Sequence, residues 1–181
     1  SVFTTLFQHA WHRVTQASEL LQHRDALQQI SKNVAHKSPS TRSLARSNCL
    51  ITRGWKSGPK ALYEALTYLS TACYIIIASL SGSRNHELAW LKTGACYKVR
   101  HENGEILWWM RSRSTKTGEG QTEWMIPPAA VKAIRVAEKL ALPLHKELET
   151  EIQRKKLINP DDPEIQEAER HLKVLFPGKH P

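Results

Sequence analysis

A mainly α protein with a small three-stranded antiparallel β-sheet, an α+β arrangement, is what the periodicity of this chain predicts. Through most of the 181 residues apolar side chains recur at three- and four-residue spacing, as helices with one buried face require. The period changes once, between Ala95 and Ile126, where strand-forming residues surround Asn103-Gly104 and Thr117-Gly118-Glu119-Gly120. With 40% hydrophobic residues and six Trp, the chain has enough apolar material for a folded core.

Phe3 to Ile30 reads as helix, first through Leu6, Phe7, Ala10, Trp11, Val14 and Ala17, then through Leu20, Leu21, Leu27 and Ile30 with Ser18 as a cap. From Ser31 to Gly58 the pattern dissolves into a basic connector with Lys37, Arg42, Arg46, Arg53 and Lys56 and a short helical piece near Leu44. Gly58-Pro59 opens a long helix, since proline is tolerated at a first helical position. Leu62, Leu66, Leu69, Cys73, Ile76 and Ile77 make it the expected core helix. Its continuous apolar run, Tyr68 to Leu80, is shorter than the roughly 20 residues of a membrane span.

Gly82 ends that helix and a second runs from Ser83 or Arg84 through Leu91. Ala95 to Arg100 and Glu105 to Arg111 are expected to pair across Asn103-Gly104, a dipeptide suited to the positive backbone angles of a hairpin turn. Gln121 to Ile126 supplies the third strand, with Lys116 in or beside the second turn. Pro127-Pro128 begins a helix with Ala130, Val131, Ile134, Ala137 and Ala141 inward, and Leu144, Leu148 and Ile152 mark another. Asp162 as cap and Pro163 at the first position start the last.

Charge narrows the partners. Lys and Arg number 26 against 17 Asp and Glu, a net +9, which makes a polyanion a natural ligand. Residues 1–80 hold nine basic and three acidic side chains, residues 81–140 ten and six, and residues 141–181 seven and eight. A phosphate-binding surface is therefore expected on the first two segments. Cys49, Cys73 and Cys96 are widely spaced, which points to neither a disulfide framework nor a zinc site and fits a reducing, intracellular setting.

Arg84, His86, Glu87 and Lys116 are the polar residues with chemistry to offer. A cation in the first turn of a helix opposes the helix dipole by about 0.3–1 kcal/mol, and a bound anion reverses that sign. An arginine fork can hold two phosphate oxygens, and Glu87, on the same helix face, can hold the guanidinium. Lys116 on a hairpin turn, preceded by Arg111 and Arg113 and flanked by Thr115 and Thr117, can reach into a groove. Taken singly, Arg84 and Glu87 also read as a surface ion pair and the lysine as a solvated turn residue.

Their order is more specific. A long apolar helix, then Ser-Gly-x-Arg-x-x-Glu-Leu from Ser81, then a three-stranded sheet with Thr-Lys-Thr-Gly from Thr115 in its second turn, then Ile126-Pro127 and a helix: this resembles the N-terminal portion of the catalytic domain of tyrosine recombinases, the phage integrase family. The likeness covers about Pro59 to Leu142. It implies that Arg84 neutralises a scissile phosphate, that Glu87 supports the active site, and that Lys116 contacts DNA beside the cleavage point and protonates the leaving 5′-hydroxyl. It also implies double-stranded DNA as partner, a homo-oligomer on DNA, a prokaryotic cytoplasmic, nucleoid-associated location, no membrane, and neither metal nor other cofactor. Residues 58–181 are then a partial catalytic domain with a helical extension, and residues 1–57 a helical segment and basic linker, whether or not they end a core-binding domain. Arg53, Lys56, Arg111, Arg113, Thr115 and Thr117 are the expected DNA contacts.

The family also uses a His-x-x-Arg box and a later tyrosine nucleophile. Here Leu148 follows His145 at the third place, Val174 follows His171, and the last tyrosine is Tyr97. The expectation is a fragment that binds DNA without cleaving it. A non-catalytic DNA-binding or regulatory module that kept the fold is the alternative, and an unrelated helical interaction protein is a third reading.

Overall fold

The computed structural model describes residues 1–114 and 120–177, and places them in two compact units, Ser1–Ala72 and Cys73–Pro181. Thr115, Lys116, Thr117, Gly118 and Glu119 lie outside the described residues, so the expectations for Lys116, Thr115 and Thr117 are not addressed by the structure.

The first unit is helical. α1 (Val2–Thr15) and α2 (Ala17–Asn33) meet at Gln16, whose backbone is close to φ −97°, ψ 8°. Ser18 therefore lies inside α2 and does not cap it. α3 (Pro39–Ile51) replaces the expected short helical piece: the Ser38 hydroxyl accepts from the Thr41 N–H and Pro39 takes the first turn. Its apolar signal is faint in sequence because Leu50 is the one residue of α3 that is buried. α3 packs on α2, and Val14, Leu21 and Leu27, with Leu62, Leu66 and Leu69 of the first half of α4 (Gly58–Ser81), are buried in this unit. His23 and Arg24 are also buried; Asp25 binds the Arg24 guanidinium at 2.7 Å, and the Trp55 ring lies 5.6 Å from His23.

At 24 residues α4 is longer than its apolar run, and among the described residues it is the one helix long and apolar enough to cross a membrane. Leu62, Leu69, Cys73, Ile76 and Ile77 are nevertheless fully buried within the protein, the pattern of a core helix.

The second unit begins in the second half of α4. Gly82, with φ +65°, ends that helix, and α5 (Asn85–Ala89) follows after three residues. The sheet then forms in chain order from β1 (Cys96–Arg100), β2 (Ile106–Ser114) and β3 (Gly120–Ile126), all antiparallel. Met110 faces Cys96 on one side and Trp124 on the other, which fixes the register. At the first turn only Gly104 has positive φ, +84°, so Asn103-Gly104 does not adopt two positive angles. The His101 N–H bonds the Glu105 carbonyl and the Gly104 N–H the His101 carbonyl, giving a three-residue loop closed by glycine.

Two expected helices are one. α6 (Pro128–Ile158) runs 31 residues through Pro143. An internal proline removes one backbone donor, and the Ala, Leu, Lys and Glu residues around it favour helix strongly enough to continue. Ile152 is buried as expected, whereas Leu144 is half exposed. α7 (Pro163–His171) starts where the sequence places it, with the Asp162 carboxylate accepting from the Glu164 N–H at 2.9 Å. Beyond it, Leu175 donates its N–H to the Leu91 carbonyl and Thr93 its N–H to the Lys173 carbonyl, so the segment after α7 docks on the turn before β1.

Ile76 is fully buried while Leu157 is 88% exposed. Urea denaturation should show Ile76→Ala costing about 2–5 kcal/mol, and Leu157→Ala less than about 0.5 kcal/mol.

Candidate functional site

The site is built on α5 and β2, both in the second unit. α5 has only five residues, too short to stand on its own propensity. It is held by tertiary bonds. Glu87 sits at its third position, 4% exposed, and its carboxylate accepts from the Arg84 backbone N–H at 2.7 Å, the reach-back half of a capping box. The Glu87 carbonyl accepts from the Ser112 hydroxyl of β2 at 2.5 Å, and Ser112 is itself buried. His86 Nε2 lies 3.9 Å from the same carboxylate. Asn85, the first residue of α5, accepts a hydrogen bond from the Tyr74 hydroxyl of α4.

This corrects the expected pairing of Arg84 with Glu87. The carboxylate holds the arginine's backbone rather than its guanidinium, because a third-position acid in a helix turns back toward the unpaired N–H of the cap. Arg84 is the cap residue, at φ −74° and ψ 155°, outside the first turn, so the helix dipole bears on it less than the sequence implies. Its side chain is exposed.

Alternation along β2 sorts the remaining residues. Met110 and Ser112 point to the core, so Trp109, Arg111 and Arg113 share the opposite face with Tyr97 of β1 and Gln121 and Glu123 of β3. Arg111 and Arg113 are exposed, and the Arg111 guanidinium stacks 4.3 Å over the Tyr97 ring. Partial burial and the nearby Glu123 carboxylate lift the Tyr97 phenol above its usual value, with Arg111 opposing. Trp108 and Trp109 are both half-buried, so neither is a full core residue; Lys98 Nζ lies 4.7 Å over the Trp108 ring.

Where β2 runs past the end of β1, a cavity of about 560 Å³ opens beside the 90–95 turn and α7. Lys92, Arg111, Arg113 and Arg170 line it together with Trp90 and Gln121. Sequence reasoning found two of these four cations. It missed Lys92, which follows no motif, and Arg170, which belongs to a segment whose charges nearly cancel. It also missed Ser112, although strict alternation from Met110 would have turned that hydroxyl inward. Arg53 and Lys56 are exposed and belong to the first unit, whereas Arg84, Glu87, Arg111 and Arg113 belong to the second.

No thiol is poised as a nucleophile in this unit. Burial pushes Cys73 up to about 12, and burial with the nearby Glu138 carboxylate pushes Cys96 up to about 11 against the opposing Arg135. Among the described residues no group of three or more His, Cys, Asp or Glu converges as metal ligands do. No protein-family model, curated protein or solved structure matches the chain.

The thiol assignment has a direct check. With iodoacetamide at neutral pH, Cys73 and Cys96 should stay unmodified in the folded protein and become labelled after denaturation, as read by mass spectrometry. Rapid native labelling of Cys73 would contradict its burial. The phenol offers a second check: in ultraviolet difference titration, Glu123→Gln should move the Tyr97 transition downward, because the acid that disfavours phenolate is gone.

Proposed function

We propose that this chain is part of a site-specific DNA recombinase of the tyrosine type, binding double-stranded DNA and supplying two cations of the strand-cleavage site. One observation carries the reading. A buried acid, Glu87, fixes the backbone of an exposed arginine and is itself bonded to β2, the strand that precedes Lys116 in the sequence. The succession of a long apolar helix, this short helix, three antiparallel strands and a proline-initiated helix supports the same reading.

In that role Arg84 bonds two oxygens of a phosphodiester and offsets the charge that builds on them during transfer. Lys116 gives a proton to the departing 5′ oxygen, since an alkoxide leaves far more readily when protonated. Arg111 and Arg113, two residues apart on one sheet face, hold flanking phosphates, and Arg53 and Lys56 add contacts from the first unit. The nucleophile is not among these residues, because no tyrosine follows Tyr97. The share of these residues is thus grip, charge stabilisation and protonation of the leaving oxygen, exercised in the prokaryotic cytoplasm at the nucleoid and as a homo-oligomer on DNA.

Fluorescence anisotropy with a labelled duplex tests this. Affinity should fall linearly on a log–log plot against salt, and Arg113→Ala should reduce the slope by about 1, as loss of one phosphate contact does. Arg84→Ala and Lys116→Ala should each weaken binding. Affinity indifferent to both substitutions would overturn the recombinase reading and leave a helical interaction protein with incidental charge.

A further inference from the structure

The cavity beside the sheet holds more positive charge than a structural role explains. Lys92, Arg111, Arg113 and Arg170 line it, and none of its described lining residues is Asp or Glu. Among the described residues, the side chains of Lys92, Arg113 and Arg170 have no hydrogen bond or ion pair. Four cations lining one concavity with no described acidic neighbour there offer an anion charges that nothing in the lining opposes. Arg111 is prepared for such a ligand: stacking on Tyr97 occupies the face of its guanidinium, while the in-plane N–H donors stay available.

The remaining walls narrow the chemistry. Trp90 lines the cavity, and His171 stacks on it with ring centroids 5.2 Å apart and an interplanar angle of 21°. That stack fixes an aromatic wall, and the Gln121 amide adds a donor and an acceptor. A volume of about 560 Å³ lies within the range of roughly 300–1,000 Å³ typical of small-molecule sites. We propose that this cavity binds a nucleoside polyphosphate, its phosphates among the four cations and its base against Trp90. The proposal shares Arg111 and Arg113 with the recombinase reading but does not rest on it, since Lys92, Trp90 and Arg170 take no part in that reading.

Isothermal titration with ATP, inorganic tripolyphosphate and adenosine tests it. ATP should bind saturably at one site per chain, tripolyphosphate more weakly, and adenosine not measurably. Lys92→Ala and Arg170→Ala should each weaken ATP binding by about tenfold or more, the usual loss when a charged hydrogen bond to phosphate disappears. Both side chains are exposed, so the substitutions leave the core intact, which circular dichroism verifies; either one suffices for the test. Arg100→Ala, exposed at the far end of β1 and outside the cavity, should bind ATP normally. Absence of saturable ATP binding, or an equal loss in Arg100→Ala, would overturn the site, and tripolyphosphate binding as tightly as ATP would overturn its nucleoside part. Duplex affinity measured on the Lys92 and Arg170 variants keeps this outcome separate from that of the DNA reading, which turns on Arg84, Lys116 and the shared Arg113.

Discussion

Arg84 and the short helix that follows it are positioned by the surroundings of one buried acid, Glu87. Burying a carboxylate without partners costs several kcal/mol, and the Arg84 N–H at 2.7 Å supplies Glu87 with one that offsets part of that cost. The bond to Arg84 closes the start of a helix too short to persist alone. The Ser112 hydroxyl on the Glu87 carbonyl then joins that helix to the sheet. Arg84 is held at a defined place by its backbone, which leaves its guanidinium uncommitted.

The sheet imposes the second constraint. Because side chains alternate, burial of Met110 and Ser112 obliges Arg111 and Arg113 to stand together on the other face. A one-residue slip in register would bury both arginines and expose the methionine. Gly104 protects against that slip at one end, since its positive φ closes the first loop at a single length. Cation placement and core packing are therefore the same fact seen from two sides.

How much of this was legible in the sequence follows the strength of each local signal. The strands and the capped start of α7 were readable, because alternation and the Asp162-Pro163 pair act over a few residues. α3 was underestimated, since a helix that buries only Leu50 has almost no apolar period to detect. The union of two expected helices into α6 was hidden by Pro143, a residue that breaks helices by rule and here does not. Arg84, Glu87, Arg111 and Arg113 could be picked out by type and order. That Glu87 would grip a backbone N–H instead of the guanidinium could not, because the choice depends on the acid being buried, and burial is decided by the sheet packed beside it.

The cavity cations illustrate the same limit from the other direction. Lys92 follows a short helix, Arg111 and Arg113 lie on a strand, and Arg170 belongs to a late helix, so no window of sequence contains the cluster. What assembles it is the backbone pairing of residues 91 and 93 with 175 and 173, which brings the segment after α7 to the turn before β1. Those bonds involve groups common to every residue and leave no trace in side-chain chemistry. A segment with a net charge near zero can thus still contribute a decisive cation, because a ligand responds to the charges that converge on it, not to the sum along the chain.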